Sequence, residues 1–228
     1  MDRYIRQISL PEIGEEGQYR LKNAKVLIVG VGGLGSPTAL YLVAAGVGQL
    51  GIVDADFVSL SNLQRQILYS ESEQGEQKVC VAKKRLNGLN SHVEVVAYPE
   101  YINKENIVRI ISGYDIVVDG CDNFETRYLL SDTCMAMGKT YVYGAIEGFM
   151  GQVALFDVKH SAKTYRDLYP DCGEGSEIDK AVVGTTAAVV GAVQAHEVLK
   201  VICGYGEPLW GRLWYIDLRT MLSGIVEL

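Results

Sequence analysis

The segment Gly30-Val31-Gly32-Gly33-Leu34-Gly35 follows the spacing G-x-G-x-x-G, and an acid, Asp54, ends the next apolar run. Glycines at this spacing let the chain turn tightly after a strand and bring main-chain N–H groups up to a phosphate at a helix N-terminus. A carboxylate ending the following strand is placed to accept hydrogen bonds from ribose hydroxyls. These groups alone would suit a pyridine-dinucleotide dehydrogenase. Farther along stand Asn62, Arg65, Lys78 and Asp122, for which hydride transfer has no use. Arg65 carries a fixed planar charge suited to phosphate oxygens, and Lys78 a compact, mobile one. Two cations with an acid able to hold Mg²⁺ fit a triphosphate better than a hydride donor.

The elements that must position these groups read as an α/β chain. Ala24–Gly30 is a continuous, β-branched apolar run, as expected of a strand covered on both faces. A helix over about 34–45 follows, closed by Gly46 at a helix C-cap. Further strands are expected at QLGIVDAD, HVEVVAY and YDIVVDGCDN, with helices over about 73–89, 104–112 and 125–137. TYVYGAI and GQVALFD lie too close for a helical crossover and read as an antiparallel pair. A long apolar helix over about 181–203 and a final strand, RLWYIDLRT, complete the chain. The expectation is a single Rossmann-like, doubly wound, mostly parallel sheet with an antiparallel portion in its C-terminal part, an N-terminal arm over 1–20 and a flexible crossover over 159–180. Ligands on such sheets bind beyond the carboxyl ends of the strands, where the glycine loop, Asp54 and the Asp119–Asn123 loop all fall.

Composition narrows the function. With 48% hydrophobic and 21% charged residues, the 228-residue chain has a globular make-up, and its apolar stretches are interrupted by glycines and polar residues, so no membrane span is expected. A net charge of −7 argues against a nucleic-acid partner. The first ten residues lack the order of a secretory signal, and a cytoplasmic location is expected. Five widely spaced cysteines form no Cys-x-x-Cys pair; Cys80, Cys121, Cys134 and Cys203 are expected in the core. His92, His160 and His196 show no metal-ligand spacing.

RYIRQ (3–7), GVGGLGS (30–36), DADFVSLSNLQRQ (54–66), GEQKV (75–79) and DGCDNFETR (119–127) together resemble the bacterial adenylyltransferases that activate sulfur-carrier proteins. These are the thiazole-biosynthesis and molybdopterin-synthase activating enzymes, relatives of the ubiquitin-activating enzymes. The resemblance runs from Arg3 to Lys200 and implies ATP- and Mg²⁺-dependent adenylation of a ubiquitin-like carrier's C-terminal Gly-Gly carboxylate. It places Gly30, Gly32, Gly33, Gly35, Asp54, Asn62, Arg65, Gln66, Lys78, Asp122 and Asn123 around the nucleotide, with Asp122 on Mg²⁺. It also implies a homodimer in which Arg6 reaches the triphosphate of the neighbouring subunit. Thiamin (thiazole) biosynthesis is the favoured pathway. Carrier activation for molybdopterin synthase, adenylation of a small molecule or tRNA base, an NAD-dependent oxidoreductase and a non-catalytic nucleotide-binding scaffold remain as alternatives.

The chain also departs from that pattern. Many such relatives hold a structural Zn²⁺ through a Cys-x-x-Cys pair in a CYRCLYP-like segment and a second pair near the C-terminus. Here Thr164 and Asp167 take the first two positions, and no cysteine follows Cys203. Four thiolates cannot be assembled, so no structural zinc is expected. Cys172 lies near the place where some relatives put a sulfur-transfer cysteine, which makes it a candidate nucleophile for an acyl-disulfide or thioester with the carrier, although its acidic segment offers no nearby cation to activate it. Elemental analysis of the purified protein is expected to find no stoichiometric zinc, and EDTA is expected to leave its Tm unchanged. One zinc per chain would refute this reading of Thr164 and Asp167.

Overall fold

The computed structural model describes residues 2–170 and 181–228. Strands β1 (Lys25–Val29), β2 (Gln49–Val53), β3 (Glu94–Tyr98), β4 (Ile116–Asp119) and β5 (Thr140–Glu147) pair in parallel. Strands β6 (Met150–Phe156), β7 (Arg212–Asp217) and β8 (Leu222–Glu227) continue the same sheet antiparallel, giving the order β3-β2-β1-β4-β5-β6-β7-β8. The helices are α1 (Ile5–Ile8), α2 (Gly14–Asn23), α3 (Gly35–Ala45), α4 (Lys78–Leu89), α5 (Ile107–Ile111), α6 (Phe124–Ala136), α7 (Tyr165–Leu168) and α8 (Gly184–Cys203). This is the Rossmann-like sheet with an antiparallel C-terminal part that the sequence implies.

Successive side chains in a strand point to opposite faces, and the sheet uses both. Val26 and Ile28 of β1 bury one way with Leu42 of α3, Val79 of α4 and Val190 of α8. Leu27 and Val29 bury the other way with Ile110 of α5 and Leu130 of α6. Each fully buried Val, Leu or Ile contributes about 1.5–3 kcal/mol, so these two layers dominate the assembly. Helix α8 is long and apolar enough by length and composition to span a membrane, contrary to the sequence expectation that no segment is. It packs here as a core helix: Gln194 is fully buried, and Glu197 binds the Leu209 N–H at 2.9 Å and the Lys200 ammonium at 2.6 Å.

Several boundaries differ from the sequence reading for local reasons. The N-terminal arm carries two helices, Ile5–Ile8 and Gly14–Asn23. Helix α4 begins at Lys78, not near Glu73, because the preceding residues are drawn into pairing with residues 56–58. Phe57 bridges Gln77, and the Lys78 N–H donates to the Asp56 carbonyl at 3.0 Å. Strand β8 is an additional edge strand after the expected final one, and most of it is exposed, so its sequence carries no clean alternation.

Between β1 and β4 the strand order changes direction: β1 leads to α3 on one face and β4 to α6 on the other. Chains leaving a sheet to opposite faces open a crevice at the carboxyl ends of the strands.

Candidate active site

Two glycines let the loops cross at that crevice. Gly30 has φ +89°, and a Cβ there would lie 2.5 Å from the Gly120 carbonyl oxygen; a Cβ on Gly120 would run into the Gly30 carbonyl in turn. The glycine loop after β1 and the Asp119–Asn123 loop after β4 are therefore in backbone contact. Gly35 serves the same closeness from behind: its Cβ would collide with the Gly30 carbonyl, and it does not line the cavity.

The cavity at the crevice has a volume of about 670 Å³. Its wall includes Gly30, Gly32, Gly33, Asp54, Asn62, Arg65, Gln66, Lys78, Asp122 and Asn123. The Val31 peptide is held from both sides. Its N–H donates to Asp54 Oδ2 at 3.0 Å, and its carbonyl accepts the Tyr69 hydroxyl at 2.8 Å and the Ser36 hydroxyl at 3.2 Å. Asp54 Oδ1 accepts the Asp56 N–H at 2.9 Å, so this acid braces the loop while each oxygen keeps a lone pair for a hydroxyl donor. Burial pushes the Asp54 carboxyl above its usual value, and the nearby Lys78 charge and the two N–H bonds oppose that shift.

Arg65 and Gln66 follow a single 3-10 turn, Leu60–Asn62, and their N–H groups donate to the Asn62 carbonyl at 3.1 and 3.0 Å. Their side chains lie against the glycine loop. A methyl group on Gly33 would touch the Arg65 methylenes at 3.4 Å, and one on Gly32 would meet the Gln66 amide at 3.2 Å. Gln66 is buried, and its Oε1 has no hydrogen-bond partner among the described residues. Lys78 is 4% exposed, and its Nζ lies 2.9 Å from Asp56 Oδ2.

Across the cavity, Asp122 is exposed, and Asn123 caps α6 by accepting the Thr126 N–H at 2.9 Å. Beneath them Asp119 is wholly buried. It accepts the Cys121 N–H at 2.8 Å and the Tyr141 hydroxyl at 2.9 Å, and Arg127 Nε lies 3.3 Å away as its ion partner. Arg127 Nη2 also donates to the Cys121 carbonyl at 2.7 Å, so the buried pair grips the loop that presents Asp122. Burial raises the Asp119 carboxyl above its ordinary value, with Arg127 opposing the shift; burial works against the Arg127 cation too, but the Asp119 charge and the surrounding tyrosines outweigh it and push its pKa up.

Sequence reasoning missed Glu100, Tyr101 and Arg127 and gave no role of their own to Asp56 and Gly120; all five line the cavity. Arg127 and Gly120 sit inside a quoted motif, and Asp56 is two residues beyond Asp54; Glu100 and Tyr101, on the loop after β3, had no sequence signal. Arg6 is exposed on α1 and does not line this chain's cavity. Cys172 lies outside the described residues. Cys134 and Cys203 are buried and Cys121 is half-buried at the cavity wall, but Cys80 is exposed on α4, where helical periodicity turns it outward from its apolar neighbours. Thr164 and Asp167 hydrogen-bond to each other: Asp167 Oδ2 accepts the Thr164 N–H at 2.8 Å and hydroxyl at 3.0 Å, capping α7.

Charge sets what the cavity can bind. Among the described residues its wall carries five acids, Asp54, Asp56, Glu100, Asp122 and Glu125, against three bases, Arg65, Lys78 and Arg127. Further cations there would favour a polyanion. An exposed carboxylate such as Asp122 is a hard oxygen donor of the kind Mg²⁺ takes alongside substrate phosphates.

A protein-family model described as ThiF family matches residues 4–228. The chain is 48% identical over 225 residues to a sulfur carrier protein adenylyltransferase of Thermus thermophilus, covering 95% of this chain and 83% of the relative. It is 42% identical to a probable molybdopterin-synthase adenylyltransferase of Porphyra purpurea and to the probable adenylyltransferase/sulfurtransferase MoeZ of Mycobacterium tuberculosis, covering 96% of this chain but 58% of each relative. Among solved structures, E. coli MccB with ATP superposes with a TM-score of 0.88 at 26% identity, over 99% of this chain and 71% of that one. The structure of PaaA, TM-score 0.86 at 23% identity over 99% and 72%, shares the fold.

The buried pair and the surface cation should respond differently to mutation. Arg127→Met leaves Asp119 buried without its counter-charge and is expected to cost about 3–5 kcal/mol of stability in urea unfolding. Arg65→Ala, half-exposed in the cavity, is expected to stay within about 0.5 kcal/mol of the parent. Equal effects would show that Arg127 does not carry the loop.

Proposed function

The chain belongs to the ThiF family, and on that footing we propose that it adenylates the C-terminal Gly-Gly carboxylate of a small ubiquitin-like sulfur-carrier protein, using ATP and Mg²⁺. The reading places it in thiamin or molybdopterin supply. The observation that carries it is the meeting of Arg65 and Gln66 over the glycine loop with Lys78 and Asp122 on the walls of the same cavity.

The chemistry follows from those groups. A terminal carboxylate, with an ordinary pKa of about 3.5, is already ionised at neutral pH, so no general base is required. One of its oxygens bonds to the α-phosphorus of ATP; the bond from that phosphorus to the bridging oxygen breaks, and pyrophosphate leaves with the electron pair. The products are an acyl-adenylate and pyrophosphate. The barrier is largely electrostatic, because one anion must approach another, so positioning and charge neutralisation carry the step. Arg65 lies against the glycine loop, where phosphate is held, and its planar fork suits two phosphate oxygens. Lys78 adds a compact charge from the wall of the same cavity. The Gly32 and Gly33 N–H groups make no backbone hydrogen bond among the described residues, and both residues line the same cavity. Asp122 would hold Mg²⁺, which when bound supplies positive charge to the phosphates.

Arg6 belongs to the same reading through a second copy of the chain. It is exposed at the N-terminal end, outside its own cavity, and a homodimer that lends it to the neighbouring cavity would offset the excess of acids there.

ATP–pyrophosphate exchange tests the proposal. Exchange is expected only in the presence of a Gly-Gly-ended carrier and Mg²⁺, to be abolished by Asp122→Ala, and to fall about 10²–10³-fold in Arg65→Ala. Exchange that proceeds equally well without carrier would overturn the assignment of the acceptor.

A further inference from the structure

Lys78 is almost fully buried, and a buried ammonium is costly unless it is paired and hydrogen-bonded. Asp56 meets that need twice. Its carbonyl accepts the Lys78 N–H at 3.0 Å, fixing the start of α4, and its carboxylate Oδ2 accepts the ammonium at 2.9 Å. The other carboxylate oxygen, Oδ1, accepts the Tyr101 hydroxyl at 2.7 Å. Tyr101 stands on a different element, the loop after β3, and it too lines the cavity. Three side chains from three separate segments thus form one line across the cavity wall: hydroxyl, carboxylate, ammonium.

We propose that Asp56 and Tyr101 are positioning residues for Lys78, holding its ammonium in place for the phosphates of the nucleotide. This deepens the adenylation reading and rests on a nucleotide occupying this cavity. Asp56 is half exposed as a side chain, and the bond to Tyr101 adds an anchor to the one at Lys78. A hydrogen bond from a neutral hydroxyl to a carboxylate restricts its rotation and leaves the charge in place. The hydroxyl stays a donor, since its bond to Asp56 raises the Tyr101 pKa above its ordinary value. Lys78 then meets an incoming phosphate already oriented, which lowers the ordering cost of binding. The same arrangement explains an otherwise unfavourable feature: an acid placed where a polyanion must bind is tolerable when its charge is already shared with the neighbouring cation.

The test separates action through Lys78 from direct contact with the nucleoside. Calorimetric titration would compare ATP·Mg²⁺ with adenosine for the parent, Tyr101→Phe, Lys78→Met and the double variant, with thermal unfolding of each as a check on folding. Tyr101→Phe removes one oxygen and keeps the ring, so it avoids the risk that Asp56→Ala unfolds the wall. It is expected to weaken ATP·Mg²⁺ about threefold to tenfold, to leave adenosine binding unchanged, and to have no further effect once Lys78 is methionine. Equal weakening of adenosine and ATP·Mg²⁺, or an undiminished effect of Tyr101→Phe in the Lys78→Met background, would overturn the proposal and make Tyr101 an independent contact. Unchanged ATP·Mg²⁺ affinity in Tyr101→Phe would also overturn it. A parent protein that binds no ATP would instead remove the adenylation reading on which the proposal rests, and the proposal with it.

Discussion

An anion must be brought to an anion: that constraint organises this molecule. A carboxylate is a ready nucleophile at neutral pH and a triphosphate carries a good leaving group, so there is little proton chemistry for a protein to perform. What remains is placing positive charge where negative charge accumulates, and holding it there before the reactants arrive. The cavity wall makes the problem sharper, because its acids outnumber its bases. Each base is consequently tied to something: Arg65 to the Ser61 carbonyl at 3.3 Å, Lys78 to Asp56, and Arg127 to Asp119. The fold supplies orientation to the bases it has.

The fold meets this demand by bringing loops from distant parts of the chain into backbone contact. Gly30 and Gly120 are 90 residues apart in sequence, and neither tolerates a Cβ where the two loops cross. That crossing places the glycine turn after β1 beside the loop that carries Asp122. Under it, the Asp119–Arg127 pair is expensive to bury and is offset by hydrogen bonds to Tyr141 and the Cys121 backbone. The start of α8 packs close by: Gly184 lies against the Gln64 carbonyl, next to Arg65, and Gln194 farther along donates to the Asp119 carbonyl at 2.8 Å. One core helix thus touches both the loop carrying Arg65 and the loop carrying Asp122.

The groups legible in the sequence are those whose signal is local. The glycine spacing, Asp54 at a strand end, and the runs holding Asn62, Arg65, Gln66, Lys78 and Asp122 each lie within a short motif, and the alternation of apolar strands with helices announced the sheet. The illegible groups owe their roles to pairing across sequence. Tyr101 reaches Asp56 over 45 positions, and nothing near Tyr101 in the chain marks it. Arg127 reads as one more polar residue at the start of a helix until Asp119 is seen beneath it. The start of α4 was misplaced for the same reason, since a bridge between Phe57 and Gln77 overrides the helical propensity of the residues before Lys78. Thr164 and Asp167 were read by what they lack, thiolates; the structure adds what they do, which is to cap α7 through mutual hydrogen bonds.

The cavity is expected to bind ATP tightly only when a divalent cation accompanies it. Titrating the parent protein with ATP, once in Mg²⁺ and once in EDTA at matched ionic strength, measures it directly. Binding is expected to be at least about tenfold tighter with Mg²⁺, a difference of about 1.4 kcal/mol or more. Equal affinity in EDTA would contradict it.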